Sequence, residues 1–156
     1  MTESIKSSFK VYSYVPADLV TGNKTPGKAP NSAHTEAEFL GPGVVGTAIS
    51  NFTMARIDGG AKPEDGHFAG IAIFEGTILG KKGTVAWTVE GTFINYTVDA
   101  KLTLLADTAT GELKGIRGTG AYLLPPPSNP EDCTGEMPSD PKDIPAFDAT
   151  FEVGFA

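Results

Sequence analysis

The sequence is short of cysteine: Cys133 is the only one. An internal disulfide needs two and a thiolate metal cluster needs more, so both are excluded, and a lone thiol fits a reducing compartment. Between Asp132 and Glu136, in a proline-rich stretch, that thiol is held protonated by its acidic neighbours and is not expected to act as a nucleophile. Positive charge is also scarce, with 12 Lys and Arg against 19 Asp and Glu for a formal charge of −7. Such a chain is repelled by phosphate backbones and anionic bilayers, so neither nucleic acid nor membrane is an expected partner. No eighteen apolar residues run together, and Met1 to Ser8 lacks the apolar centre of a secretory signal. The expectation is a cytoplasmic, soluble protein.

Metal and cofactor motifs are missing as well. The two histidines, His34 and His67, stand far apart, with no HxH, HxxxH or HExxH spacing, so no metal site is expected. The glycine-rich stretch Gly115 to Gly120 lacks both the lysine and the following helix of a phosphate loop, and no cofactor is expected.

What the sequence has is punctuation. Nineteen glycines and twelve prolines divide 156 residues into short stretches rich in Val, Ile, Thr, Phe and Tyr. That is the pattern of many strands joined by turns, in a chain long enough for one domain. Phe9 to Val15 alternates as a first strand that Pro16 is expected to end, because proline cannot donate to a ladder. Residues 16–43 read as a long connection, within which Ser32 to Leu40 is either one or two helical turns or an edge strand.

Val44 to Arg56 reads as a long strand, with Val44, Gly46, Ala48, Ser50, Phe52, Met54 and Arg56 on one face. His67 to Leu79 is the next, a hairpin loop over Gly80 to Gly83 follows, and Thr84 to Phe93 returns antiparallel. There Val85, Trp87, Val89, Gly91 and Phe93 face a core while Thr84, Ala86, Thr88, Glu90 and Thr92 face away. Tyr96 to Ala106, Leu113 to Leu124 and Phe147 to Phe155 continue the pattern, with a second loop over 125–145 that holds seven of the prolines. Seven or eight such strands make an up-and-down barrel or a sandwich. Closure removes the apolar edges that the strands would otherwise expose.

The hairpin Phe68-Ala69-Gly70-Ile71-Ala72-Ile73-Phe74-Glu75-Gly76-Thr77-Ile78-Leu79-Gly80-Lys81-Lys82-Gly83, with its continuation through Glu90-Gly91-Thr92-Phe93, resembles the DUF3224 family. So does the block from Thr110 to Gly120. The resemblance implies an all-β fold, a small closed antiparallel barrel of about eight strands of the allene oxide cyclase-like kind, often a homodimer or homotrimer. Relatives in that superfamily fold reactive polyenes or epoxides in an apolar cavity, so it implies a hydrophobic small molecule as partner.

The residues themselves offer a matching set. Phe52, Met54, Phe68, Phe74, Trp87, Phe93 and Tyr122 share predicted inner faces and either fill the barrel or line a pocket, with Trp87, Tyr122, Asn51 and Arg56 as polar handles and Arg117 either a similar mouth residue that meets the ligand or a structural cross-strand partner. Arg56 or Tyr122 could stabilise a developing oxyanion. Glu75 or Glu90 could move a proton, provided that it points inward, where desolvation would raise its pKa. The leading expectation is therefore a barrel that promotes cyclisation or isomerisation of a hydrophobic molecule by holding a reactive conformer away from water. The alternative is a lipocalin-like barrel that binds without turnover.

Overall fold

The computed structural model describes residues 2–17, 32–62, 65–126 and 144–156. Eight antiparallel strands close into one barrel in chain order: β1 (Thr2–Ala17), β2 (Ser32–Pro42), β3 (Val44–Arg56), β4 (Gly66–Ile78), β5 (Lys81–Ile94), β6 (Thr97–Leu105), β7 (Ile116–Leu124) and β8 (Phe147–Phe155). The last strand returns to pair with the first, from Thr2 opposite Gly154 to Phe9 opposite Phe147. The predicted all-β barrel is the observed one. No helix among the described residues is long and apolar enough to cross a membrane.

Three expectations about the connections change. Ser32 to Leu40 belongs to a strand, because β2 pairs with β1 on one side and β3 on the other, burying Ala33, Thr35 and Phe39 in alternation. The connection expected over 16–43 therefore shrinks to the stretch between Ala17 and Ser32. Pro16 does not end β1; it stands opposite Ala33 beyond the register shift between Val11 and Ser13. The hairpin expected at 80–83 is tighter, with Leu79 and Gly80 at φ of 52° and 76° forming the turn and Lys81 already in β5. Of the second loop, 127–143, which includes Cys133, lies outside the described residues.

The inner face is layered along the barrel axis. At one end, the base, Val44, Ile78, Val85, Leu113, Ile116 and Val153 are all sealed from solvent. Each such burial contributes about 1.5–3 kcal/mol. Two short 3-10 turns, Ala106–Thr108 and Gly111–Leu113, complete the base. They are needed because β6 stops at Leu105, opposite Ala86, and leaves the first residues of β5, paired with β4 on one side, without a strand partner on the other. Thr108 Oγ1 accepts from Ala86 N at 2.9 Å, Thr110 N donates to Thr84 O at 2.9 Å, and Glu112 Oε1 accepts from Lys82 N at 3.2 Å. The exposed edge of β5 is thereby satisfied without a ninth strand. Gly46 and Gly76 stand opposite each other where β3 and β4 approach closely. A Cβ on either would run into the other strand's carbonyl oxygen.

Above the base, Phe9, Phe39, Phe74, Trp87 and Phe151 form an aromatic plug across the barrel. Trp87 stacks on Phe74 at 5.4 Å and meets Phe39 and Phe151 edge-on at 5.9 Å each. Such contacts add about 0.5–1.5 kcal/mol per pair beyond burial. The up-and-down order places the connections after β1, β3, β5 and β7 together at the opposite end, the mouth. Two of these connections are locked together there. Asp65, itself buried, accepts from Asn95 N with Oδ1 at 2.8 Å and from Lys62 N with Oδ2 at 3.2 Å. Asn95 and Tyr96, at φ of 50° and 62°, make the tight β5–β6 turn that this carboxylate braces.

Candidate functional site

Strand alternation sorts the twelve candidate side chains cleanly. Phe52, Met54, Arg56, Phe68, Phe74, Trp87, Phe93 and Tyr122 take the inward phase of their strands, while Asn51, Glu75, Glu90 and Arg117 are exposed on the outer wall. Asn51 is a surface partner of His34, whose Nδ1 lies 2.9 Å from its Oδ1. Glu75 lies between Thr47 and Thr84, and Glu90 between Ala69 and Lys101, on neighbouring strands. Arg117 is opposite Gly154. The inward orientation on which a proton-moving role for Glu75 or Glu90 depends is absent, because each shares its outward phase with threonines. Nor do Asn51 and Arg117 reach the interior as pocket handles.

The inner residues fall at two depths. Phe74 and Trp87 belong to the plug and form a floor; Trp87 is 2 % exposed. Phe52, Met54, Phe93 and Tyr122 lie nearer the mouth and keep part of their surface open although they point inward, as do Val98, Leu124 and Phe147. Phe52 packs on Phe68 at 5.6 Å. Arg56, half-buried at the end of β3, brings Nη2 to 3.7 Å from Met54 Sδ. It is the one charged side chain in the inward phase of the mouth half of the described strands. A guanidinium above apolar walls can pair with an anionic group, and here its Nε is already buried.

Tyr122 contributes a phenol against Phe9, ring centroids 5.1 Å apart. Desolvation pushes its pKa up to about 12, so it remains a neutral hydrogen-bond donor across the physiological range. Two further hydroxyls face the interior. Thr35 and Ser50, directly opposite each other on β2 and β3, are both buried. The alternation of β3 places Ser50 in phase with Phe52 and Met54, and a small hydroxyl on an otherwise apolar face is the signal that marks it. Thr35 carries no such signal until β2 is known to be a strand.

Outside the barrel, a shallow groove of about 550 Å³ is lined by Ala55, His67, Ala69, Glu90, Thr92 and Lys101 among others. A second, of about 340 Å³, shares Glu90 and Lys101. His34 and His67 are not brought together, and no group of three metal-ligating side chains occurs among the described residues.

The interior thus offers a sealed aromatic floor, an apolar wall with hydroxyls set into it, and Arg56 as the one inward-phase cation in the mouth half of the described strands. It has the parts to hold and orient a molecule, and no carboxylate takes the inward phase of the described strands in the mouth half. Comparison with solved structures finds the same fold in a protein of unknown function from the DUF3224 family of Shewanella oneidensis MR-1. The two share 15% identity at a TM-score of 0.69, over 100% of this chain and 99% of that one. No curated protein matches the chain. The sequence model of DUF3224, a family described as of unknown function, matches residues 5–127, and the chain belongs to that family.

Proposed function

We propose that the barrel binds a small, largely apolar molecule in the mouth half of its interior, above the plug formed by Phe39, Phe74, Trp87 and Phe151. The observation that carries this reading is the contrast between the two halves of one inner face. At the base Val44, Ile78, Val85, Leu113, Ile116 and Val153 are sealed and Ile5 and Phe155 keep some exposure, whereas Phe52, Met54, Phe93, Tyr122, Leu124 and Phe147 point inward and stay partly open. Small-molecule sites have this composition, mostly apolar and aromatic with a few convergent polar groups. Barrels of eight strands are wide enough for one such ligand.

A second reading, turnover of the bound molecule by cyclisation or isomerisation as in allene oxide cyclase-like barrels, draws on one feature. Arg56 and Tyr122 are both inward, and both can donate to a developing oxyanion. With Glu75 and Glu90 outside, any rate enhancement rests on these donors and on the conformer held.

Trp87 is the only tryptophan and lies at the floor, so its emission reports occupancy. Titration with 1-anilinonaphthalene-8-sulfonate should quench Trp87 with saturable energy transfer, and Phe52→Ala should weaken it. If the dye leaves Trp87 emission unchanged, the binding reading fails. Incubation with linear polyene or epoxide probes, followed by mass-neutral product analysis, separates the two readings: an isomerised product supports turnover, and unaltered probe supports binding alone.

A further inference from the structure

We propose that Thr35 and Ser50 act as a pair of hydrogen-bond donors that holds the oxygen of an uncharged, carbonyl-bearing ligand inside the barrel. The inference rests on the binding reading above and names the class of molecule that the site takes.

The two hydroxyls are unusual for where they lie. Each residue is 9 % exposed, each faces inward, and they stand directly opposite on adjacent strands, which puts their Cβ atoms about 5 Å apart. Neither hydroxyl hydrogen-bonds to the other or to any described residue. Ser7, the other buried serine, shows the usual arrangement: its Oγ donates to Val44 O at 2.7 Å and accepts from Gly41 N at 3.2 Å. Neither Oγ atom is enclosed by protein, so each stays open to the barrel interior, where a ligand oxygen can reach it. As donors, the two can converge on the two lone pairs of one carbonyl oxygen.

Charge selects the ligand class. Arg56 is six residues further along β3, roughly 20 Å away by strand length, and among the described residues no other inward-phase side chain of the mouth half is charged. A carboxylate seated on Thr35 and Ser50 would be desolvated without a counter-charge, whereas a ketone, lactone or quinone oxygen needs only the donors. The same row of the sheet runs from Ser50 through Ala72 to Trp87. A carbonyl held there sits within about 10 Å of the indole, and the small Ala72 between them leaves the approach unobstructed by a long side chain.

The test uses the full chain and Trp87 emission, with three probes: 2-nonanone, its isostere 2-methyl-1-nonene in which CH2 replaces the oxygen, and nonanoate. The ketone should bind about tenfold more tightly than the alkene. Ser50→Ala and Thr35→Val, both expected to fold with wild-type circular dichroism, should each weaken the ketone by roughly three- to tenfold and leave the alkene unchanged. Equal binding of ketone and alkene, or ketone affinity that ignores both substitutions, overturns the donor pair while the binding reading stands. Nonanoate binding more tightly than the ketone in a manner lost on both substitutions overturns the assignment to uncharged ligands. Absence of binding by all three overturns the pocket itself.

Discussion

Trp87 lies nearly flat against Phe74, with ring centroids 5.4 Å apart and planes inclined by 26°, on adjacent strands near the middle of the barrel. The pair closes the interior from below and divides it into a largely sealed half and a half whose inward side chains stay partly exposed.

Substitution should expose that division. Trp87→Ala removes a fully enclosed indole and should cost about 3–5 kcal/mol in chemical denaturation. Phe52→Ala, nearer the mouth and partly open already, should cost less than about 2 kcal/mol. Equal losses would mean that the two depths are packed alike.

The two buried serines make a second contrast. Ser7→Ala strands the carbonyl of Val44 and the amide of Gly41, and should destabilise by about 1–3 kcal/mol. Ser50→Ala strands nothing in the protein and should lie between neutral and slightly stabilising in the absence of ligand. Denaturant midpoints of both variants, measured together, decide the point.

Alkaline stability should depend on Tyr122. Its folded pKa of about 12 exceeds the ordinary value of 10, so the unfolded chain loses this proton first as the pH rises. Stability is therefore undiminished below pH 10 and falls between pH 10 and 12, by up to about 2–3 kcal/mol from this group. Tyr12 is also raised, first by desolvation and then by the hydrogen bond and charge of Glu38, so the comparison is with Tyr122→Phe. Denaturation at pH 9 and pH 11.5 should show a smaller loss in that variant than in the wild type.

Asp65→Ala should loosen the rim and spare the barrel. Removing the acceptor shared by the Asn95 and Lys62 amides is expected to cost about 1–3 kcal/mol. Hydrogen exchange at Asn95 should accelerate while amides of β4 and β5 below the rim keep their protection.

The phase of the strands was legible in the residues, and their depth was not. Alternation from Val44 to Arg56 placed Phe52, Met54 and Arg56 together, and by the same rule put Asn51 on the other side and Glu90 among threonines. Nothing in that rule distinguishes Trp87 from Phe93, which share a face; one is floor and the other wall only because the closed register fixes their height. The segment 32–40 was ambiguous because its two pairing partners are distant in sequence, and β2 is a strand chiefly because β1 and β3 flank it. The solitary state of the Thr35 and Ser50 hydroxyls depends on every neighbouring atom and has no counterpart in a linear pattern.

The seam between β1 and β8 carries a kinetic consequence. Every other ladder joins strands adjacent in sequence and can form as a local hairpin, but this one requires the two ends of the chain to meet. Closing a loop of that length costs on the order of 4 kcal/mol in chain entropy, recovered only when Ile5, Ser7 and Phe9 dock. The seam is therefore the ladder of greatest sequence separation, the class of contact that slows folding. A chain shortened by the first strand would leave one side of β2 and one side of β8 unpaired, with two adhesive edges where the intact barrel has none.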